Sequence, residues 1–317
     1  MDILRILEPG PFTTIQDRGR YGYQRYGIPI SGALDKFAYR VANLLVGNPE
    51  TSAVLEITFA GPKLEVLGET ALAVTGADVP VLVNNEPQDL WTAFEVRPGD
   101  VVAIRPARRG VRAYLSVAGG ILVPEVMGSR STYVNGRLGG LDGRLLRKGD
   151  ILPGGSPTVP RALGKLPDEL RPTLSNRITL RAIPGPQEDF FDEGLELFFT
   201  DTFTVSAQAD RMGYRLDGPT ITGKVEMTTS IISEASVPGG VQVPPDGRPI
   251  IILGEQTAGG YAKIATVIAQ DLDLVAQARP GDELRFMSVD PAQARKAHQA
   301  LIQKLVHIRS LVRSSRP

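Results

Sequence analysis

Three stretches of this sequence combine glycine with charged and hydroxyl side chains more densely than turns require. They are Gln16–Gly22 continued by Ser31–Asp35, then Gly128–Thr132, and then Gly254–Lys263. Arginine and free backbone N–H groups bind carboxylates and phosphates, and paired glycines such as Gly259-Gly260 let a backbone approach a ligand closely. Each stretch therefore predicts a loop that binds a small polar ligand. The structural alternatives are an ion-paired loop that closes a barrel, a capped turn and a long hairpin loop, respectively.

Other catalytic chemistries have little support in the residues. Cysteine is absent, which excludes thiolate nucleophiles, disulfides and cysteine-ligated zinc. The two histidines, His298 and His307, lie near the C-terminus, and no Gly-x-Ser-x-Gly elbow occurs, so a Ser-His-Asp site is not expected. Gly218–Lys224 has the spacing of a phosphate loop, but Val225 stands where a magnesium-binding Ser or Thr belongs. We predict a turn there, no metal site, and no nucleotide motif in this chain.

Length and charge narrow the class of protein. The chain has 317 residues, 42% of them hydrophobic and 22% charged, which fits a soluble globular protein of two domains or one large barrel. Lys plus Arg equals Asp plus Glu at 35 each, so no net field favours nucleic acid or an anionic membrane. No apolar run approaches the roughly 20 residues that span a bilayer, and the start does not look like a signal peptide. We expect a cytoplasmic protein.

A set of landmarks occurs twice in the same order, which predicts two copies of one module. The pairs are Gly22-Tyr23 and Gly213-Tyr214, Gly27 and Gly218, Glu56 with Gly61 and Glu234 with Gly239, Gly76 and Gly254, and Arg97–Asp100 and Arg279–Asp282. Equivalence across a duplication favours a structural role for Glu56 and Glu234, such as accepting backbone N–H bonds, over a catalytic one.

The periodicity around these landmarks is that of short β-strands joined by Pro-Gly turns, which favours closed or nearly closed barrels. The predicted strands are Lys63–Val66, Ala71–Val74, Val79–Val83, Val101–Arg105, Arg112–Val117, Ile178–Ile183, Thr202–Ser206, Ile250–Leu253, Ile264–Ile268 and Glu283–Met287. The boundary between the copies is predicted in Leu152–Thr173, which is rich in Pro and Gly.

Two helices are predicted. In the first copy, an apolar stripe from Leu34 to Leu45 follows Ser31 as a possible cap and stops at Gly47-Asn48-Pro49. At the C-terminus, Asp290 caps and Pro291 occupies the first helical position. This last helix is basic and carries one apolar face, so we expect it to pack on its own acidic body. Docking on nucleic acid or membrane is the alternative.

Several motifs in this order resemble the biotin-dependent carboxyltransferase family, over about residues 3 to 290. They read QDRGRYGYQRYGIPISGALD, LVGNPETSAVLEITFAGP, YLSVAGGI, GSRST and VQVPPDGRPIIILGEQTAGGYAKIATVI. That family includes the C subunit of 5-oxoprolinase, the antagonist of the sporulation kinase inhibitor, and part of the carboxyltransferase region of urea carboxylase (the allophanate hydrolase subunit 2 type). The resemblance implies a mainly β fold of two duplicated cyclophilin-like β-barrel subdomains at 1–165 and 166–290. The basic C-terminal helix and tail would occupy 291–317.

The resemblance also implies a function that needs other chains. In that interpretation, two further proteins that resemble the B and A subunits complete an ATP-dependent 5-oxoprolinase, which opens 5-oxoproline, a small-molecule substrate, to glutamate. ATP would be bound through the complex. One alternative is a carboxyltransferase component acting with carboxybiotin on a urea-like amide, with the biotin on another chain because no Met-Lys-Met attachment site occurs. The other is a non-catalytic regulator that binds an inhibitor of a histidine kinase. Neither nucleic acid nor membrane is an expected partner.

The resemblance assigns no catalytic residue but implies a set of substrate-binding positions. They are Asp17, Arg18, Gly19, Ser31, Gly32, Asp35, Arg130, Ser131, Gln256, Thr257, Gly259, Gly260 and Tyr261. The last motif departs from the family pattern, since Ala258 replaces a second threonine and Gly254-Glu255 precede Gln256.

Overall fold

The computed structural model describes residues 1–155, 164–224 and 230–314. The chain divides into two compact units. Unit 1 comprises Met1–Arg20, Ser31–Leu174 and Gln303–Pro317, and unit 2 comprises Tyr21–Ile30 and Ser175–Ile302. The segment Tyr21–Ile30 groups with unit 2. The subdomain bounds 1–165, 166–290 and 291–317 stay predictions. Residues 156–163 of the predicted linker Leu152–Thr173 lie outside the described residues.

Unit 1 contains two antiparallel sheets. Its strands are β1 (Asp2–Glu8), β2 (Phe12–Gln16), β3 (Val54–Thr58), β4 (Lys63–Val66), β5 (Thr70–Asp78), β6 (Val81–Val83), β7 (Glu86–Gln88), β8 (Ala93–Val96), β9 (Val101–Ile104), β10 (Arg109–Val117) and β11 (Ile151–Pro153). One sheet has the order β11-β1-β4-β9-β6-β7, and the other β2-β3-β10-β5-β8. Both contribute to one apolar core, with Ile6 and Leu64 from the first sheet and Leu55 and Leu115 from the second.

Unit 2 contains a closed ring of strands. Its strands are β12 (Arg177–Pro184), β13 (Thr202–Ala209), β14 (Gly213–Asp217), β15 (Ser230–Ala235), β16 (Gly240–Val243), β17 (Ile250–Ile252), β18 (Ala258–Val267) and β19 (Glu283–Ser288). The order β12-β19-β13-β14-β17-β16-β18 closes because β18 also pairs with β12, and β15 extends outward from β18. Closure removes free edges, so the closed barrel predicted from the short strands and Pro-Gly turns is present here.

The predicted secondary structure is largely confirmed. All ten predicted strands overlap observed strands, and the fold is mainly β. The helices are α1 (Lys36–Leu45), α2 (Asp192–Thr200), α3 (Leu272–Gln277) and α4 (Pro291–Ser314), with 3₁₀ turns at Gln24–Tyr26, Asp168–Leu170 and Glu188–Phe190. Within the described part of the chain, no helix is long and apolar enough to span a membrane.

The predicted cap residue was wrong for helix α1 and right for helix α4. The cap of α1 is Asp35, whose side chain accepts the Ala38 N–H at 2.8 Å, and not Ser31. Ser31 instead has a left-handed backbone (φ 54°). The start of α4 is as predicted: Asp290 accepts the Gln293 N–H at 2.7 Å. Along α4, the apolar side chains Leu305, Ile308 and Val312 are buried in unit 1, which confirms that this basic helix packs on its own protein.

Three turns with the sequence Arg-x-Gly-Asp have the same structure. In Arg97–Asp100, Arg147–Asp150 and Arg279–Asp282, the Asp carboxylate accepts the Arg N–H at 2.7, 2.7 and 2.8 Å. The glycine has φ near +90° each time (91°, 89° and 93°), and its N–H donates to a strand carbonyl. Those carbonyls belong to Val66, Ile6 and Val205. The turns at 97–100 and 279–282 are therefore structurally equivalent, and the turn at 147–150 has the same structure.

Candidate functional site

Asp17 follows strand β2 and joins two loops of unit 1. Its carboxylate is 5% exposed and accepts four hydrogen bonds. Oδ1 accepts from the Gly19 N–H at 2.8 Å and from the hydroxyls of Ser129 and Ser131 at 2.7 and 2.6 Å. Oδ2 accepts from the Arg130 N–H at 2.6 Å. Hydrogen bonds to a carboxylate are stronger than those between neutral groups, so Asp17 fixes the predicted loop 17–19 against the loop 128–132.

Arg20 lies fully buried beside this carboxylate. Its Nε donates to the Val126 carbonyl at 2.9 Å and its Nη2 to the Ser131 carbonyl at 2.8 Å. Burial lowers the pKa of the guanidinium, and the negative charge of Asp17 acts in the opposite direction. The third nitrogen, Nη1, makes no hydrogen bond within the described residues. Arg20 was not among the predicted site residues, although it lies inside the quoted motif QDRGRYG.

The predicted segment Ser31–Asp35 packs against the same loop. A Cβ at Gly32 would lie 2.9 Å from the Cα and N of Gly19, so only glycine fits there, with φ +81°. The Ala33 N–H donates to the Asp17 carbonyl at 2.9 Å. The Ser31 hydroxyl is buried and has no hydrogen-bond partner among the described residues. The two predicted parts of the first stretch are thus neighbours in space.

A buried relay fixes the end of this segment. Glu56 Oε2 accepts the Leu34 N–H at 3.0 Å and the Tyr114 hydroxyl at 2.8 Å. The Tyr114 oxygen in turn accepts the Asp35 N–H at 2.8 Å. Burial raises the pKa of Tyr114 and the charge of Glu56 raises it further, so the phenol keeps the proton that it donates. Glu56 therefore holds a backbone loop, as predicted. Glu234 instead forms an ion pair with Lys263.

Tyr39 on α1 adds a second unsatisfied hydroxyl to this region. Its side chain is buried, and its oxygen makes no hydrogen bond with any described residue. Burial raises the pKa of Tyr39, the charge of Asp17 raises it further, and Arg18 opposes the shift. Tyr39 and Ser31 are therefore neutral hydrogen-bonding groups beside the predicted loop. A tyrosine inside an amphipathic helix carries no distinctive sequence signal, which explains why it was missed.

A buried ion pair anchors the loop before β18 in unit 2. Arg211 Nε donates to Glu255 Oε1 at 2.5 Å, and the two side chains are 5% and 6% exposed. The next residue, Gln256, donates from its side chain to the Ala258 carbonyl at 3.2 Å. Glu255, which departs from the family pattern, therefore has a structural partner here.

A separate contact ties the segment Tyr21–Ile30 to the same loop. Gln24 lies in the 3₁₀ turn Gln24–Tyr26, and its side-chain amide donates to the carbonyls of Ser236 and Thr257 at 2.6 and 2.8 Å. The Ser236 N–H also donates to the Thr257 carbonyl, at 3.0 Å. Three segments distant in sequence thus meet at Thr257, and all three belong to unit 2.

The predicted binding residues fall into two groups. In unit 1 the structure brings together Asp17, Arg18, Gly19, Ser31, Gly32, Asp35, Arg130 and Ser131, and unit 2 contains Gln256, Thr257, Gly259, Gly260 and Tyr261. The Arg130 side chain is engaged by Glu125 at 2.7 Å and by the Val123 carbonyl at 2.9 Å. Arg18 is exposed, and Tyr261 is 38% exposed. Their roles in substrate binding stay predictions.

Residues 1–155, 164–224 and 230–314 contain no cluster of three His, Asp or Glu side chains that could hold a metal ion. In the stretch that imitates a phosphate loop, Lys224 forms an ion pair with Asp192 of α2 at 2.9 Å. Val225 lies outside the described residues.

Comparison with known proteins shows which family this chain belongs to. The carboxyltransferase domain family, subdomains A and B, matches residues 26–288. This chain therefore belongs to that family, and the resemblance predicted from the motifs is confirmed.

Proteins named as 5-oxoprolinase C subunits and as urea amidolyase are among the relatives of this chain. The chain is 38% identical to the 5-oxoprolinase C subunit of Escherichia coli (strain K12), over 94% of this chain and 94% of that protein. It is 34% identical to the 5-oxoprolinase C subunit of Haemophilus influenzae, over 98% and 99%. It is 33% identical to urea amidolyase of Lachancea kluyveri, over 93% of this chain but 17% of that protein.

A solved structure carries the same fold. The crystal structure of the Kluyveromyces lactis urea amidolyase superposes with a TM-score of 0.91 at 34% identity. The match covers 96% of this chain and 20% of that one, so this chain spans about a fifth of the larger protein.

Proposed function

We propose that this chain is the C-type component of an ATP-dependent 5-oxoprolinase. The observation that carries the proposal is end-to-end correspondence. The relatives named as the C subunit of 5-oxoprolinase match over 94% and 99% of their own lengths, whereas the urea amidolyase of Lachancea kluyveri matches over 17% of its length. Nearly the whole of each C subunit therefore has a counterpart in this chain, whereas only a small part of the urea amidolyase has one.

The chemistry explains why such a component would work with others. The lactam of 5-oxoproline is a poor electrophile, and phosphorylation of its oxygen by ATP makes the ring carbon more electrophilic. Water then adds to that carbon and the C–N bond breaks, which opens the ring and leaves the nitrogen as an amine. A second water hydrolyses the resulting acyl phosphate. The products are glutamate, ADP and phosphate. In the proposed complex, ATP is bound through the assembly of this chain with the B-like and A-like proteins. This chain contributes polar loops that contact the substrate. We expect little or no activity from the chain alone.

A second function has specific support. Sequence identity of 33% to urea amidolyase and the TM-score of 0.91 fit a carboxyltransferase component acting on a urea-like amide. In that case carboxybiotin would arrive on another chain.

Reconstitution separates the two. The chain is co-expressed with the B-like and A-like proteins, and ATP hydrolysis and glutamate release are measured with and without 5-oxoproline. We expect both activities to require the lactam and all three proteins. Matched reactions omit one protein at a time, and a parallel reaction supplies urea with a carboxylated biotin carrier. An ATP hydrolysis rate that is the same with and without 5-oxoproline would contradict the proposal, and activity only in the urea reaction would favour the alternative.

A further inference from the structure

Three neighbouring strands of unit 2 place polar residues on one face. Glu234 on β15 lies opposite Gly259 on β18, and Gln242 on β16 lies opposite Lys263 on β18. Residues opposite each other on adjacent strands share a face of the sheet, as do Gly259 and Lys263, which are four residues apart on one strand. Glu234, Gln242 and Lys263 therefore converge around Gly259.

The ammonium of Lys263 is buried and has an exchangeable partner. Lys263 is 5% exposed, and its Nζ donates to Glu234 Oε1. The Glu234 side chain is 49% exposed. A buried ammonium requires an anion, but a half-exposed carboxylate can return to water at low cost. The space next to Lys263 Nζ therefore suits a carboxylate, and the Glu234 carboxylate fills it in this structure.

Gln242 supplies an unused donor at the same place. The residue is 2% exposed, and its side-chain amide nitrogen has no hydrogen-bond partner among the described residues. A Cβ at Gly259 would lie 2.3 Å from that nitrogen, so the amide rests against a backbone that has no side chain. Buried donors without partners are uncommon, because each has lost its water without replacement.

We propose that Gln242 and Lys263 form a subsite for the carboxylate of a small organic acid. The amide N–H and the ammonium offer one donor to each carboxylate oxygen, and Glu234 holds the ammonium while the subsite is empty. The ligand carboxylate replaces the Glu234 carboxylate. The inference rests on the proposed function and deepens it, since 5-oxoproline carries one carboxylate in addition to its lactam. Lys263 is the last residue of the predicted ligand-binding stretch Gly254–Lys263, but none of the three is among the substrate-binding positions that the family resemblance implies.

Steady-state kinetics of the assembled complex test the subsite with two substitutions of opposite sign. Lys263→Gln should raise the KM for 5-oxoproline by roughly 10- to 100-fold with a smaller change in kcat, because one charge-assisted hydrogen bond is lost. Glu234→Gln should lower the KM several-fold, because the competing carboxylate is gone. Lys296→Gln, which removes the same charge from an exposed position of unit 2, should leave the KM unchanged.

A second substrate identifies what the subsite recognises. 2-Pyrrolidone is the same lactam without the carboxylate. The wild-type complex should prefer 5-oxoproline, and Lys263→Gln should lose that preference. An equal rise in KM for both lactams, an unchanged KM in Lys263→Gln, or a raised KM in Glu234→Gln would each overturn the proposal.

The failure of the proposed function can be distinguished from the failure of the subsite. If the wild-type complex showed no 5-oxoproline-dependent activity, this would contradict the proposed function but not the proposed subsite. The purified chain is then titrated with 5-oxoproline by calorimetry, with the urea-unfolding midpoint of each variant confirming that it is folded. Binding by the wild-type chain that Lys263→Gln abolishes supports the subsite. Equal binding by both, or no binding by the wild-type chain, overturns it.

Discussion

Asp17 in unit 1 and Lys263 in unit 2 are both buried charges in predicted binding loops, but the protein satisfies them differently. Asp17 accepts four hydrogen bonds from backbone and hydroxyl groups of two loops. Lys263 pairs with one carboxylate that is half exposed. A charge that is saturated by its own chain holds segments together, whereas a charge with one solvent-exposed partner remains able to exchange it. Two buried charges in predicted binding loops can therefore have different roles.

The largest expected effect on stability follows from Asp17→Asn. The substitution puts an amide NH₂ among donors that need an acceptor, so buried hydrogen bonds are lost and left unsatisfied. We expect the free energy of unfolding to fall by about 3–5 kcal/mol, measured by urea denaturation. Asp89→Asn, at an exposed position of unit 1, is the matched control and should change it by less than about 0.5 kcal/mol. Equal midpoints for the two variants would break the comparison.

Two glycines with left-handed backbones separate packing from backbone strain. A Cβ at Gly139 (φ +64°) would lie 2.1 Å from the Ser131 carbonyl oxygen, whereas a Cβ at Gly149 (φ +89°) meets nothing within 4 Å. Gly149→Ala should cost about 1–2 kcal/mol from strain alone. Gly139→Ala should cost about 3 kcal/mol or more, because it also displaces the loop bound to Asp17. Similar unfolding midpoints would show that this loop is not tightly packed.

Asp150 is another hydrogen-bonded carboxylate of unit 1, and its contribution to stability depends on pH. Burial alone would raise the pKa of Asp150, but hydrogen bonds from the Arg144 side chain and the Arg147 N–H lower it below its usual value overall. Stability from this group is therefore complete above the unfolded pKa of about 3.9 and is lost as the pH falls through the lower, folded pKa. Asp150→Asn should reduce the loss of stability on acidification by about 1 kcal/mol. An acid-unfolding curve parallel to that of the wild type would contradict this.

The smallest effect on stability is expected for Gly259→Ala in unit 2. Gly259 does not have a left-handed backbone, and the new Cβ meets the movable end of Gln242. We expect a loss of less than about 1 kcal/mol together with a raised KM for 5-oxoproline, since the amide is pushed aside. A large drop in the unfolding midpoint would instead make this glycine part of the fold's support.

Sequence patterns predicted features that depend on local interactions. The strands, the cap of α4 and the equivalence of Arg97–Asp100 with Arg279–Asp282 follow from periodicity, capping and turn chemistry, and all are observed. The landmark Gly22-Tyr23 precedes a 3₁₀ turn, whereas Gly213-Tyr214 opens β14, so a two-residue match did not predict local structure.

Features that depend on distant contacts were missed for a physical reason. Arg20, Tyr39 and Gln242 acquire their surroundings only when segments far away in the sequence, or a neighbouring strand, pack against them. The sequence does contain one signal for Gln242, which is a polar residue between two valines. The structure shows that the strand containing them is fully buried.

We infer that the polar groups around Lys263 bind a ligand, whereas those around Asp17 stabilise the fold. The most direct measurement determines the urea-unfolding midpoint and the KM for 5-oxoproline of Lys263→Gln in the same preparation, beside the unfolding midpoint of Asp17→Asn. We expect Lys263→Gln to have an unfolding midpoint close to that of the wild type and a KM raised at least roughly tenfold. A midpoint lowered as far as that of Asp17→Asn, with an unchanged KM, would contradict it.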